Sequence, residues 1–319
     1  MKLVVINPAL KERHRNIISE TAGKAGIDVC FVAREEEIPD DFSDTDIIYG
    51  PGIKTAAESR DLKWLCAHSA GVDYLLKPGS FANSDCLLTN SAGAYGVSIA
   101  EHIIAVSLMM MRHIDDHFLQ SQNGRWGMPV PQRSLKDSRI SVLGTGDIGS
   151  CFARRAKAFE PETIVGINRS GRSSEPVYDK VISSDKLDSV LPETDLLVMS
   201  LPDTPETRNI LSKERICLLP KEAYIVNVGR GSAIDEDALA DRLESGMLAG
   251  AALDVFRTEP LPSDSRLWNT RNLLITPHVA GNLTLDHTID KNVEMFCEDL
   301  ISFTEGRPLK HLVDRNRGY

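Results

Sequence analysis

The sequence predicts an α/β protein whose strands form parallel sheets. Three observations carry this. Short apolar runs alternate with polar stretches of helical spacing or turn residues. The runs fall into two series, one in the first hundred residues and one from Ile140 onward, with a long helical pattern between them. Each run of the second series ends in, or is followed directly by, a glycine, a polar or a charged residue, where ligands sit at the carboxyl ends of parallel strands.

The first series reads "LVVI" (3–6), "CFVA" (30–33), "DIIYG" (46–50), "WLCAH" (64–68) and "CLLT" (86–89). A single long helix is expected from Val97 toward Gln120, with Ala100, Ile103, Ile104, Val106, Leu108 and Met109–Met111 as its apolar residues and no proline to stop it. The three methionines read as packing residues. The segment 123–138 links this helix to the second series. That series reads "ISVLG" (140–144), "TIVGI" (163–167), "DLLVMS" (195–200), "AYIVNV" (223–228), "AALDVF" (251–256) and "LLITPH" (273–278). A last helix is expected from about Leu283, where Val293, Phe296, Leu300 and Phe303 recur at helical spacing.

With 319 residues, the chain has length for two ordinary domains and a sizeable core. Hydrophobic residues make up 42% and charged residues 26%, the balance of a globular protein in water. The formal net charge of -10 argues against a general nucleic-acid or anionic-membrane surface. The cysteines (30, 66, 86, 151, 217, 297) include no C-x-x-C pair, so they read as reduced thiols and not as a metal site. No stretch reaches the roughly 18 apolar residues of a membrane span. The first apolar run is too short for a signal segment, and a cytoplasmic location is expected.

Gly144, Gly146 and Gly149 form G-x-G-x-x-G directly after a strand and before a helical pattern. Glycine permits the tight turn and lets backbone N–H groups approach a pyrophosphate, and the helix N-terminus adds partial positive charge. The reading is a dinucleotide site; the alternative is a plain strand-to-helix turn. NAD sites place an acid about 20 residues further on, to accept hydrogen bonds from the ribose hydroxyls. Here Asn168, Arg169 and Ser170 stand at that place, with Arg172 close behind. The acid that would repel a 2′-phosphate is gone, and two guanidinium groups suited to phosphate have come in. NADP(H) is therefore the preferred cofactor, with NAD(H) as an alternative; a merely solvated basic turn is the other reading.

Three more strand ends carry chemistry. Arg230 lies between two glycines, Glu259 precedes a proline, and His278 follows one. Singly, each suits an ordinary surface or strand-end role. Together they supply what hydride transfer to a 2-ketoacid needs. An arginine binds the carboxylate and polarises the ketone, an imidazole protonates the developing alkoxide, and a carboxylate orients the ring.

At this point the sequence resembles the D-isomer-specific 2-hydroxyacid dehydrogenase family over nearly its whole length. The matching motifs are "SAGVD" (69–73), "GTGDIG" (144–149), "LPDTPETRNIL" (201–211), "NVGRGSAIDEDAL" (227–239), "DVFRTEPLP" (254–262) and "TPHVAG" (276–281), and the ending "VDRNRGY" (313–319) is similar. The resemblance implies two doubly wound parallel-sheet domains with a cleft between them. One is a Rossmann dinucleotide-binding domain (99–284); the other is a discontinuous flavodoxin-like substrate domain (1–98 plus 285–319). It implies that Arg230, Glu259 and His278 are catalytic and that amides around Ala70, Gly71 and Val72 hold the substrate carboxylate. It implies that Pro202 and Thr207 line the nicotinamide and ribose side, and that Val228 and Asp254 face the nicotinamide end. Further cofactor contacts are expected at Asp147, Ile148, Leu201, Gly229 and Gly281. A homodimer through the cofactor domain is implied too. The departure from the NAD-type pattern is at 168–172, where an aspartate is commonest.

The function expected is NADPH-preferring reduction of a 2-ketoacid to a D-2-hydroxyacid. Two alternatives stay open: an NAD-dependent dehydrogenase of a phosphorylated hydroxyacid, and a dinucleotide-sensing corepressor-like protein without catalysis. Which 2-ketoacid is used is not legible. Among the remaining residues, Tyr49–Lys54 is a candidate substrate contact, with Lys54 better read as an exposed loop cation. Tyr74 and Tyr95 carry the same two readings. Trp126 reads as a linker anchor or as a subunit or cleft contact. Cys151 reads as buried and unreactive.

Overall fold

Strands covered on both faces need no polar alternation, and the first series behaves so. It gives β1 (Lys2–Ile6), α1 (Glu12–Lys24), β2 (Asp28–Val32), β3 (Ile47–Tyr49), α2 (Ile53–Glu58), β4 (Trp64–Cys66) and β5 (Leu87–Thr89). In the computed structural model, which describes residues 1–173 and 175–318, these strands form a parallel sheet in the order β2-β1-β3-β4-β5. Leu3 pairs with Ile47, Ile47 with Trp64 and Trp64 with Leu87 across the sheet. The central strands β3 and β4 are wholly buried.

The long helical pattern folds as two helices, α3 (Gly96–Met111) and α4 (Ile114–Gln122), bent by 69°. This corrects the single helix expected from the spacing. The break falls at His113, whose φ of 53° is left-handed. No glycine or proline announces it, and histidine tolerates that conformation better than most residues. Met110 and Met111 are buried, as packing residues should be.

The second series gives β6 (Arg139–Leu143), α5 (Asp147–Ala156), β7 (Thr163–Asn168), β8 (Lys180–Ser183), β9 (Leu196–Met199), α6 (Lys213–Leu218), β10 (Tyr224–Asn227), α7 (Glu236–Glu244), β11 (Gly250–Leu253) and β12 (Leu273–Ile275). β8 is the strand that the pattern missed: four residues at the sheet edge, only one of them fully buried. Among the described residues the sheet order is β12-β11-β10-β9-β6-β7-β8, parallel throughout. The chain winds outward from β6 in one direction and then returns to β9 on the other side. The switch point between β6 and β9 is where open α/β sheets bind ligands.

The final helix, α8 (Asp286–Thr304), returns to the first sheet. Its Phe296 ring stacks on Tyr49 at 4.2 Å between centroids and on Trp64 at 5.4 Å. The Tyr49 hydroxyl donates to Asn292 Oδ1 at 2.6 Å. Cutting Phe296 to alanine would cost about 3–5 kcal/mol, the usual loss for a buried aromatic. The chain thus divides into two units, Met1–Tyr95 with Asn282–Tyr319, and Gly96–Gly281. No single helix among the described residues is long and apolar enough to cross a membrane.

Candidate active site

Every predicted site residue of the second unit lies at or beyond the carboxyl end of a strand of one sheet. The glycine-rich turn follows β6 at the switch point. Gly144 has φ of 105°, and a Cβ there would meet Ser200 O at 2.8 Å, so only glycine makes this turn. A Cβ at Gly149 would fall 2.0 Å from Gly144 O, because α5 starts tight against the turn. Gly146 is the contrast: a Cβ there would meet nothing within 4 Å, and the residue is exposed. Its bareness serves no packing within the protein, and leaves backbone open to a ligand. Asp147 and Ile148 begin α5.

A depression of about 440 Å³ runs beside this turn, lined by Thr145, Gly146, Asp147, Ser150, Cys151, Arg154, Arg172, Ser173 and Glu175. Cys151 lines it half-buried, which corrects the expectation of a buried thiol. Burial and the neighbouring Asp147 raise its pKa, so the thiol stays protonated.

The basic turn follows β7. Asn168 is half-buried; Arg169, Ser170 and Arg172 are exposed. Among the described residues neither guanidinium is held in an ion pair. Asn168 is bound into the protein instead. Its Nδ2 donates to Thr145 Oγ1 at 2.7 Å and to Arg172 O at 2.8 Å.

Beyond β10, β11 and β12, neighbours in the sheet, stand the other three groups. A Cβ on Gly229 would come 2.5 Å from Leu201 N, and one on Gly231 would come 1.9 Å from Phe256 C. Arg230 is therefore fixed between two points of close backbone approach. Buried Asn227 fastens the same loop: it accepts from Gly229 N at 3.1 Å and donates to Arg230 O at 3.0 Å. The Arg230 guanidinium donates to Gly229 O at 2.8 Å. Glu259 accepts from Phe256 N at 2.9 Å through Oε1 and lies 2.7 Å from His278 Nδ1 through Oε2. A carboxylate on Nδ1 leaves Nε2 for substrate chemistry.

His278 has φ of 53°, a conformation that surrounding bonds must enforce. Its own N–H donates to Asp254 O at 2.8 Å. The buried Asp254 carboxylate accepts from Thr276 Oγ1 at 2.6 Å, Val279 N at 2.9 Å and Ala280 N at 3.0 Å. Asp254 is thus the buttress of the His278 loop, a role that sequence reasoning did not see. Thr276 and Asn227 were missed as well; both stand inside recognised motifs, but their partners lie on other strand ends. His102 of α3 was also missed. Its Nε2 lies 3.4 Å from Thr276 Oγ1, and burial lowers its pKa against the opposing charge of Asp254.

Leu201 and Pro202 follow β9, half-buried. The Thr207 hydroxyl donates to Pro202 O at 2.7 Å and accepts from Thr204 N at 2.9 Å, so it folds its own loop. Val228 is buried at the end of β10, and Gly281 closes the segment after β12.

In the first unit, the loop after β4 has a one-sided hydrogen-bond pattern. The carbonyls are used: Ser69 Oγ donates to Gly71 O at 2.9 Å, Asn90 Nδ2 to Ala70 O at 2.8 Å and Leu75 N to Val72 O at 2.9 Å. Among the described residues the N–H groups of Ala70, Gly71 and Val72 donate to nothing. Tyr49 is core, which corrects its candidacy as a substrate contact, and Lys54 is exposed. Tyr95 is buried, its hydroxyl donating to His68 O, while Tyr74 is half-buried with its hydroxyl 3.4 Å from Ser69 Oγ. Trp126, in the second unit, is 100% exposed and anchors nothing among the described residues.

Residues 104–280 match the NAD binding domain of the D-isomer specific 2-hydroxyacid dehydrogenases. The chain belongs to that family. It is an NAD(P)-dependent 2-hydroxyacid dehydrogenase by class, and its fold recurs in solved relatives. It is 36% identical over 269 residues to an uncharacterised protein of the proB 3′ region of Corynebacterium melassecola, covering 81% of this chain and 86% of that one. A D-isomer specific 2-hydroxyacid dehydrogenase from Xanthobacter autotrophicus, solved with NADPH and MES, is 28% identical with a TM-score of 0.81, covering 100% of this chain and 99% of its own. An NADPH-dependent glyoxylate/hydroxypyruvate reductase from Sinorhizobium meliloti, solved with NADP and sulfate, is 26% identical with a TM-score of 0.80, again over 100% and 99%.

Proposed function

We propose that this dehydrogenase reduces a 2-ketoacid to a D-2-hydroxyacid and prefers NADPH. The observation that carries the reaction is the His278–Glu259 pair, 2.7 Å apart beyond neighbouring strands and one strand away from Arg230. NADPH, when bound, supplies the hydride that reduces the keto carbon. His278 gives its proton to the keto oxygen as charge develops there, and Glu259 stabilises the ring while it is protonated. Arg230 binds the substrate carboxylate and polarises the ketone. The uncommitted amides at 70–72 suit a carboxylate in the same way.

The residues present fit the dinucleotide. Open backbone at Gly146 and the start of α5 suit a pyrophosphate. The two exposed guanidinium groups at Arg169 and Arg172, with no acid at 168, suit a 2′-phosphate. Both structural relatives named above were solved with NADP or NADPH, in support of that preference. A homodimer through the second unit has support in the exposed Ile114, Phe118 and Leu119 of α4 and in Trp126 and Met128 just after it.

The test is turnover of a small panel of 2-ketoacids, from glyoxylate and hydroxypyruvate to phenylpyruvate and branched acids, with each reduced cofactor. Consumption of NADPH at lower KM than NADH with at least one of them is expected. Turnover of a phosphorylated hydroxyacid with NAD alone would overturn the reading.

A further inference from the structure

We propose that Asn168 is a positioning residue. It ties the basic turn to the glycine-rich turn and thereby sets where Arg169 and Arg172 meet a 2′-phosphate, without itself touching ribose or phosphate. The inference rests on the NADPH reading above and deepens it.

A carboxamide has two donor hydrogens and an acceptor oxygen with two lone pairs. In Asn168 all four positions are used inside the protein. Nδ2 donates to Thr145 Oγ1 at 2.7 Å and to Arg172 O at 2.8 Å. Oδ1 accepts from Gly171 N at 2.8 Å and from Ser170 N at 3.0 Å. The orientation of the amide is not a free choice. Two backbone N–H groups face the oxygen and a backbone carbonyl faces the nitrogen, so a flipped amide would set like against like at three contacts.

Thr145 is the other half of the tie. It stands between Gly144 and Gly146, where its hydroxyl meets Asn168 and its methyl lies under Gly166; a Cβ on Gly166 would come 2.8 Å from it. The two loops that would hold the pyrophosphate and the 2′-phosphate are thus joined by one side-chain bond, from the end of β7 to the turn after β6. Arg172 depends on it directly, because its own carbonyl is a partner.

An aspartate at 168 would do more than add charge. It could still accept from Ser170 N and Gly171 N. Its second oxygen would then face Arg172 O at hydrogen-bond distance, acceptor against acceptor, and the end of the turn would be pushed away. An acid placed in this turn should therefore lose NADPH without gaining NADH.

The experiment is steady-state kinetics of the full chain with NADPH and with NADH for Thr145→Val, Asn168→Ala and Asn168→Asp, beside Arg169→Ala and Arg172→Ala. Thr145→Val and Asn168→Ala add no charge. Each should raise the KM for NADPH about tenfold, the effect of one or two lost hydrogen bonds, and shift the NADPH-to-NADH ratio of KM by nearly that much. Asn168→Asp should raise the KM for NADPH about a hundredfold, with repulsion added, and leave the KM for NADH no lower than in the parent. Should Asn168→Ala fail to fold, the near-isosteric Thr145→Val still decides. An unmoved ratio in Thr145→Val and Asn168→Ala, equal losses with both cofactors, or a gain with NADH in Asn168→Asp overturns the inference. If the arginine variants move the ratio while those two do not, this inference fails alone. If the arginine variants leave it unmoved as well, the NADPH reading falls with it.

Discussion

The two halves of one sheet edge are built in opposite ways. Beyond β10–β12 the polar side chains are bonded to one another or to backbone. Asp254 accepts three hydrogen bonds, Glu259 two, and Asn227 fastens both sides of the Arg230 loop. Beyond β7 the guanidinium groups of Arg169 and Arg172 stand exposed, while Asn168 in the same turn is fully bonded. The difference follows from the tasks. Proton transfer requires a ring held to a fraction of an ångström, so its supports are made before substrate arrives. Phosphate recognition requires charge and reach, and a flexible arginine on a rigid turn supplies both.

That contrast can be broken at three depths. His278→Ala removes the proton donor itself and should lower kcat about 10³-fold, measured with saturating 2-ketoacid, while a titration of intrinsic fluorescence still reports NADPH binding. Retained turnover would take His278 out of the reaction. On the other side of the edge, Arg169→Asp with Arg172→Ala should raise the KM for NADPH about a hundredfold by replacing charge-assisted bonds with repulsion, and change the KM for NADH little. Equal losses with both cofactors would mean that the turn holds no 2′-phosphate. The smallest effect belongs to the buttress. Asp254→Asn can keep Thr276 and Val279 on its oxygen, but sets an amide nitrogen against Ala280 N–H. A penalty of about 1–3 kcal/mol is expected, seen as a lower Tm together with a kcat down about tenfold. A lower Tm with unchanged kcat would show that the loop does not need Asp254 to present His278.

Much of the fold was legible because parallel strands buried on both faces are nearly continuous apolar runs. Among the described residues, eleven of the twelve strands coincide with such runs. β8 did not, because an edge strand with one buried residue carries little apolar signal. The break at His113 was hidden for a different reason. Nothing in "MMMRHID" disfavours a helix, and the left-handed residue is set by where the chain must go next. Tyr49 shows the same limit at the level of one side chain. A tyrosine at a strand end before "GPG" reads as a candidate substrate contact, yet β3 is central in its sheet and buries it against Phe296.

The sequence by itself determined the kinds of groups present: a glycine turn after a strand, two arginines where an acid is usual, and an arginine, a glutamate and a histidine each at a strand end. Those are local facts, written in neighbours a few residues apart. Only the tertiary structure decided which of them are joined. Asn168 bonds across 23 residues to Thr145, Asp254 across 22 to Thr276, and Glu259 across 19 to His278. Such pairings depend on strand order and register, which bring distant loops to one edge, and no local pattern records them.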